Sequence, residues 1–257
     1  MKILSTSLFL LALGTYAIGE DTAVQQPKDL FGNADKPFAY TGEDLTRLPT
    51  RLGVSYDNGV NHHTGSNTDN YLVTGSLSLL GLQALAEVPV YARTNPGAGE
   101  TQDGFGDSFV SGAFSLPINP KMRLAVGLDA LLDTASRDEL GIGENLFTPF
   151  FAIGVELDET NMGLIKLSYT DSTDDTIERW ELMIRGLHRW NDQLFSSVEI
   201  VPGWDSLGDE VLLNARALVG ARVDRHNIVS LEFALPIDTD SREDRGSSLR
   251  LNYNFMF

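Results

Sequence analysis

Residues 249–257 read LRLNYNFMF, and every second position is apolar. Leu249, Leu251, Tyr253, Phe255 and Phe257 share one face, while Arg250, Asn252, Asn254 and Met256 share the other. A period of two is the signature of a β-strand whose faces meet different surroundings. Working outward from this segment, comparable blocks recur at 50–57, 70–79, 83–93, 105–117, 121–132 and 146–157. They continue at 162–169, 177–190, 193–204, 210–223, 227–237 and 247–257, which makes twelve strands of 8–14 residues. No stretch beyond the first 19 residues approaches the roughly 20 continuous apolar residues of a membrane helix.

The connections carry as much information as the strands. They run long then short: 58–69 against 80–82, 94–104 against 118–120, 133–145 against 158–161 and 170–176 against 191–192. The series closes with 205–209, 224–226 and 238–246. Short turns at one end, longer loops at the other and an even strand count describe a transmembrane antiparallel β-barrel of twelve strands. A terminal Phe on an aromatic-rich strand resembles the C-terminal signal of bacterial outer-membrane barrels, and implies that Tyr253, Phe255 and Phe257 form the assembly signal. The expected partners are therefore the barrel-assembly machinery, outer-membrane lipid and lipopolysaccharide.

Membrane energetics orient the two faces. In 177–190, Trp180, Leu182, Ile184, Gly186, His188 and Trp190 alternate with Glu181, Met183, Arg185, Leu187 and Arg189. In 227–237, Val229, Leu231, Phe233 and Leu235 alternate with Ser230, Glu232 and Ala234. An Arg or Lys facing lipid near the midplane costs about 2–4 kcal/mol, so the apolar set faces out and the polar set in. The inward, lumen-lining cations are then Arg51, Arg123, Lys166, Arg185, Arg189, Arg216, Arg222 and Arg250. The inward anions are Asp57, Glu87, Asp107, Asp129, Glu156, Glu181, Glu199 and Glu232. Such groups either staple a filled interior through ion-pair ladders or line a channel for a small polar or amphipathic solute.

Composition removes several other classes. With 19 Lys+Arg against 36 Asp+Glu, the formal charge of -17 leaves no basic footprint for nucleic acid. Cysteine is absent, which excludes disulfides, thiolate metal sites, thiol catalysis and a lipid anchor on Cys. The acidic loops lack the Gly and Glu spacing of an EF-hand, and neither a metal nor a cofactor is expected. Residues 1–19 pair Lys2 with an apolar run and small residues at Ala17 and Gly19, the pattern of a cleavable signal peptide, so the chain is expected to be exported. Residues 20–49 hold Pro27, Pro37 and Pro49 and follow no strand pattern. They form a periplasmic extension or a plug with Phe31, Phe38 and Tyr40 against the lumen wall, and 50–257 form the barrel.

Within the barrel, FGDSFVSGAF (105–114) precedes GLDALLDTASRDELGIGENLFTPFFAIGVEL (127–157). This order resembles the outer-membrane proteins of the MetA pathway of phenol degradation, over about a fifth of the chain. Members often carry a PTGD-like sequence where this chain reads DTAS (133–136). The resemblance implies an outer-membrane barrel of about twelve strands associated with solute uptake, and no catalytic residue is expected. Two other classes compete with a channel. A barrel lipid hydrolase would draw on His62, His63 and Ser66 in the loop NHHTGSN, beside Asp57 and Asp69. A structural or adhesive barrel would use its loops alone.

Overall fold

The computed structural model describes residues 44–61, 65–96, 99–174, 176–205, 210–239 and 246–257. The strands are β1 (Arg51–Asn61), β2 (Asn67–Leu79), β3 (Leu82–Asn95), β4 (Gln102–Gly104), β5 (Ser108–Asn119), β6 (Met122–Leu132) and β7 (Leu146–Glu156). They continue as β8 (Asn161–Ser172), β9 (Glu178–Arg189), β10 (Leu194–Asp205), β11 (Glu210–Arg222), β12 (Asn227–Thr239) and β13 (Gly246–Met256). Consecutive strands pair antiparallel, except that β4 and β5 both pair with β3, and β13 pairs with β1, so the sheet closes on itself. The short β4 and the longer β5 both pair with β3 and together make one stave, giving a closed twelve-stave barrel. Closure of β13 onto β1 pairs the two ends of the sheet, which is what a strand fold needs where no water satisfies the backbone.

Burial follows the alternation. Val126, Val198, Val211 and Val219 on the outer wall are each about 60% exposed, whereas Thr74, Ser115, Arg123, Arg185 and Glu199 on the inner wall are buried. A polar interior inside an apolar shell inverts a soluble core, as a lipid-facing surface requires. The expected strands lie within a few residues of those observed. Most extend further toward the long loops, because polar residues there continue the ladder; β1 reaches Asn61 and β8 reaches Ser172. The strand expected at 105–117 is the exception. It is interrupted at 105–107, and β5 begins at Ser108.

Three of the short turns share one device. Asp158 accepts from the Thr160 and Asn161 amides at 2.7 and 2.8 Å. Asn191 does the same for Gln193 and Leu194, and Asp224 for His226 and Asn227. An Asx side chain that replaces the missing ladder partner lets the chain reverse within four residues. The Asn161 side-chain amide, with Thr160, holds the Asp158 carboxyl down to about 2, so this turn keeps its charged cap through mild acid.

Candidate functional site

The inner wall is layered. Toward the short turns it holds apolar clusters beside polar groups: Phe195, Leu218 and Ile228 cluster with Met256, and Met162 meets Leu187. Residues 44–49 run inside this part of the barrel, with Asp44, Thr46, Arg47 and Leu48 all buried. One acceptor anchors them. The Thr46 carbonyl oxygen receives Gln83 Nε2 at 3.1 Å, Arg123 Nε at 3.2 Å and the Ser115 hydroxyl. Arg47 pairs with Glu156 at 3.0 Å, and Asp44 accepts from the Thr46 amide and hydroxyl. Gly154 leaves the necessary room, since a Cβ there would lie 2.7 Å from Thr46 Oγ1. Phe31, Phe38 and Tyr40 lie outside the described residues.

Above this layer a charge ladder crosses neighbouring strands with alternating sign. Arg185 on β9 bonds Glu199 on β10, with Nε to Oε2 at 2.6 Å. Glu199 also receives Arg216 of β11 at 3.3 Å, and Arg216 reaches Glu232 of β12 at 3.4 Å. Glu232 stands opposite Arg250 of β13. Arg250 in turn bridges Asp57 of β1 at 3.6 Å and Glu87 of β3 at 3.3 Å. Beside the ladder, Lys166 of β8 binds Asp129 of β6 at 2.6 Å and stands 4.4 Å from the centre of the Phe150 ring. Low polarity strengthens each pairing and makes each unpaired charge costly, so the members hold one another in place.

Over the ladder, toward the long loops, lies a cavity of about 680 Å³. Its lining includes Lys166, Glu181, Glu199 and Arg216 together with Met183 and Val201. Among the described residues, no group of three or more His, Asp or Glu side chains there is placed to hold a metal ion.

Several expected lining residues have other duties. Asp107 stands in the break between β4 and β5, and its carboxylate accepts the Thr134, Ala135 and Ile142 amides at 3.1, 3.0 and 2.7 Å. It clasps the DTAS and LGIG segments onto FGD, so it belongs to the loop and not to the wall. Gly141 permits this approach, because a Cβ there would lie 2.6 Å from both carboxylate oxygens. Asp107→Ala should therefore loosen residues 134–142, seen as faster hydrogen exchange of those amides with the barrel's melting temperature little changed. Arg189 and Arg222 sit at the short-turn rim, bonding Asp192 and the Glu159 carbonyl, and the Asp224 and Arg225 carbonyls, respectively. Arg123 and Glu156 hold residues 44–49, and Arg51 lies beside this layer at the start of β1, opposite Ser76 and Met256. The sequence pattern could not separate these roles, since all share the inward parity.

The outer surface carries several aromatic contacts. Tyr56, Tyr71 and Tyr91 form a ladder on β1–β3, while Trp190 meets His188 edge-on near the short turns. Phe255 contacts His226 on one side and Phe257 on the other, and the Tyr253 hydroxyl bonds Asn227. Of the loop considered for hydrolysis, His62 and His63 lie outside the described residues. Asp57 is held inside by Arg250, and Asp69 is bonded to Tyr56 and Asn58.

No family model matches the chain, and no curated protein matches it. Solved structures do share its architecture. An outer-membrane channel from Pseudomonas putida F1 superposes with a TM-score of 0.65 at 13% identity, covering 81% of this chain and 96% of that one. The NanC porin gives 0.58 at 7% identity over 79% and 100% of the two chains. CymD, described as a monoaromatic hydrocarbon channel, gives 0.51 at 9% identity over 83% and 90%. At these identities the likeness defines the fold, that of outer-membrane barrels. The neighbours named here are porins and channels, not enzymes.

Proposed function

We propose that this chain is an outer-membrane channel of a Gram-negative bacterium that binds or passes a small polar or amphipathic solute. The observation that carries the reading is the cavity of about 680 Å³, lined by charges of both signs and set above a neutralised charge ladder. Paired charges on the wall with open volume beside them is how a barrel lumen selects solutes while staying rigid. The leader at 1–19 would export the chain, and residues 20–49 would supply the plug of which 44–49 is the inner end. Tyr253, Phe255 and Phe257 would be read by the assembly machinery, with lipid and lipopolysaccharide around the finished wall. An aromatic solute fits the resemblance to the phenol-degradation proteins, and CymD is a precedent among barrels of this shape.

Single-channel recording of the refolded full chain in a planar bilayer tests the proposal. Discrete, steady conductance steps are expected. A silent bilayer together with ester hydrolysis would instead support the hydrolase, and silence in both assays would support a structural barrel.

A further inference from the structure

Among the described residues the inner-wall carboxylates follow a rule with one departure. Glu87, Asp57, Asp129, Glu156, Glu199 and Glu232 each face an Arg or Lys. Glu181 does not. Its neighbours across the ladder are Ser168 of β8 and Gly203 of β10, and neither carries charge. The Glu181 side chain lies over the open space at Gly203, where a Cβ would come within 3.4 Å of its Cγ. Two cations stand one inward position from Glu181: Arg179 on the same strand, which pairs with Asp205 at 3.7 Å, and Lys166, opposite Met183. Lys166 leans the other way, over Phe150 and onto Asp129. Among the described residues no cation pairs with Glu181, although it lines the cavity.

We propose that the cavity binds a small organic cation with its ammonium group on Glu181. This deepens the channel reading and rests on it, since a solute must first enter the barrel. The other charges of the lining exclude the opposite choice. Lys166 is neutralised by Asp129, and Arg216 already lies between Glu199 and Glu232, so an incoming carboxylate would meet those two acids. The only charge there without a partner among the described residues is negative. Met183 and Val201 in the same lining give an apolar body something to rest on. The ligand class is thus an amine with a compact apolar group. The acidic loops above, with Asp133, Asp138 and Glu139, would raise the local concentration of cations at the entrance.

The test uses the full chain refolded in an uncharged detergent, with benzylamine, benzyl alcohol and benzoate as probes of one size and three charges. Calorimetric titration should rank benzylamine first. Glu181→Gln should weaken benzylamine by about ten-fold, the size of one charge-assisted contact, and leave benzyl alcohol unchanged. Its melting temperature should stay at the wild-type value, because no ion pair is removed. Benzoate binding as tightly as benzylamine, or an unaffected Glu181→Gln, would overturn the proposal. Conductance of the same preparation reports separately on the channel: steps without amine preference sink the amine site alone. Amine binding in a silent bilayer keeps the site and makes the barrel a receptor instead of a pore.

Discussion

Arg185→Met is expected to destabilise the barrel by about 3–5 kcal/mol, the cost of stranding one partner of a buried ion pair. The Arg185 and Glu199 side chains are 6% and 2% exposed, so water cannot replace the lost guanidinium. Arg216 remains beside Glu199 but is shared with Glu232, and its own side chain is 39% exposed. Removing both charges with Arg185→Met and Glu199→Met together should recover a good part of the loss, since apolar residues of similar volume fill such sites well. Urea titration of the refolded protein in micelles measures both. Reversal potential should move only modestly toward cations in the single variant, because Glu199 in the cavity lining loses one cation but keeps Arg216 beside it. A wild-type urea midpoint combined with a strong shift toward cations would mean that Arg185 lines the solute path instead.

The second large effect is expected from Arg123→Met. Three donors converge on the Thr46 carbonyl oxygen, and Arg123 is the charged one. Hydrogen bonds from charged groups contribute about 1.5–3 kcal/mol, a large share of what a six-residue segment without secondary structure can muster. The variant should release residues 44–49 from the short-turn end, raising single-channel conductance and exposing the segment to protease while the twelve staves stay closed. Gly154→Val reaches the same state by a different route, because its side chain would occupy the space of Thr46 Oγ1. If both variants conduct like the wild type and resist cleavage, residues 44–49 do not restrict the lumen.

The two variants act on the parts of the molecule that a linear reading reaches least. Alternation along β9 and β12 was enough to assign every residue to a face, because a strand reverses its side chains at each step and lipid tolerates only one kind. The same parity named Arg185, Glu199, Arg216, Glu232 and Arg250 as inward residues of balanced sign. It could not pair them. Glu87 and Arg250 are 163 positions apart, and they meet only because β13 closes onto β1 and brings the two ends of the sheet together. Inward parity likewise said nothing of height along the axis, which is why Arg189 and Arg222 belong to the rim and Glu181 to the cavity.

Asp107 shows the limit most clearly. In the sequence it is one more alternating acid at the head of a strand, and the FGD, DTAS and LGIG segments are only an order of motifs that resembles a family. In the fold the ladder breaks at 105–107, and the freed amides of Thr134, Ala135 and Ile142 turn to its carboxylate. Residues 44–49 had no period to read, since their hydrogen bonds go to an inner wall that exists only once the barrel is closed. The sequence by itself determined the strands, their faces and the sign of the interior, because each follows from short-range alternation against a lipid boundary. The partners, the depth of each charge and the place left open at Glu181 were decided by closure, which sets a register between residues that the chain keeps far apart.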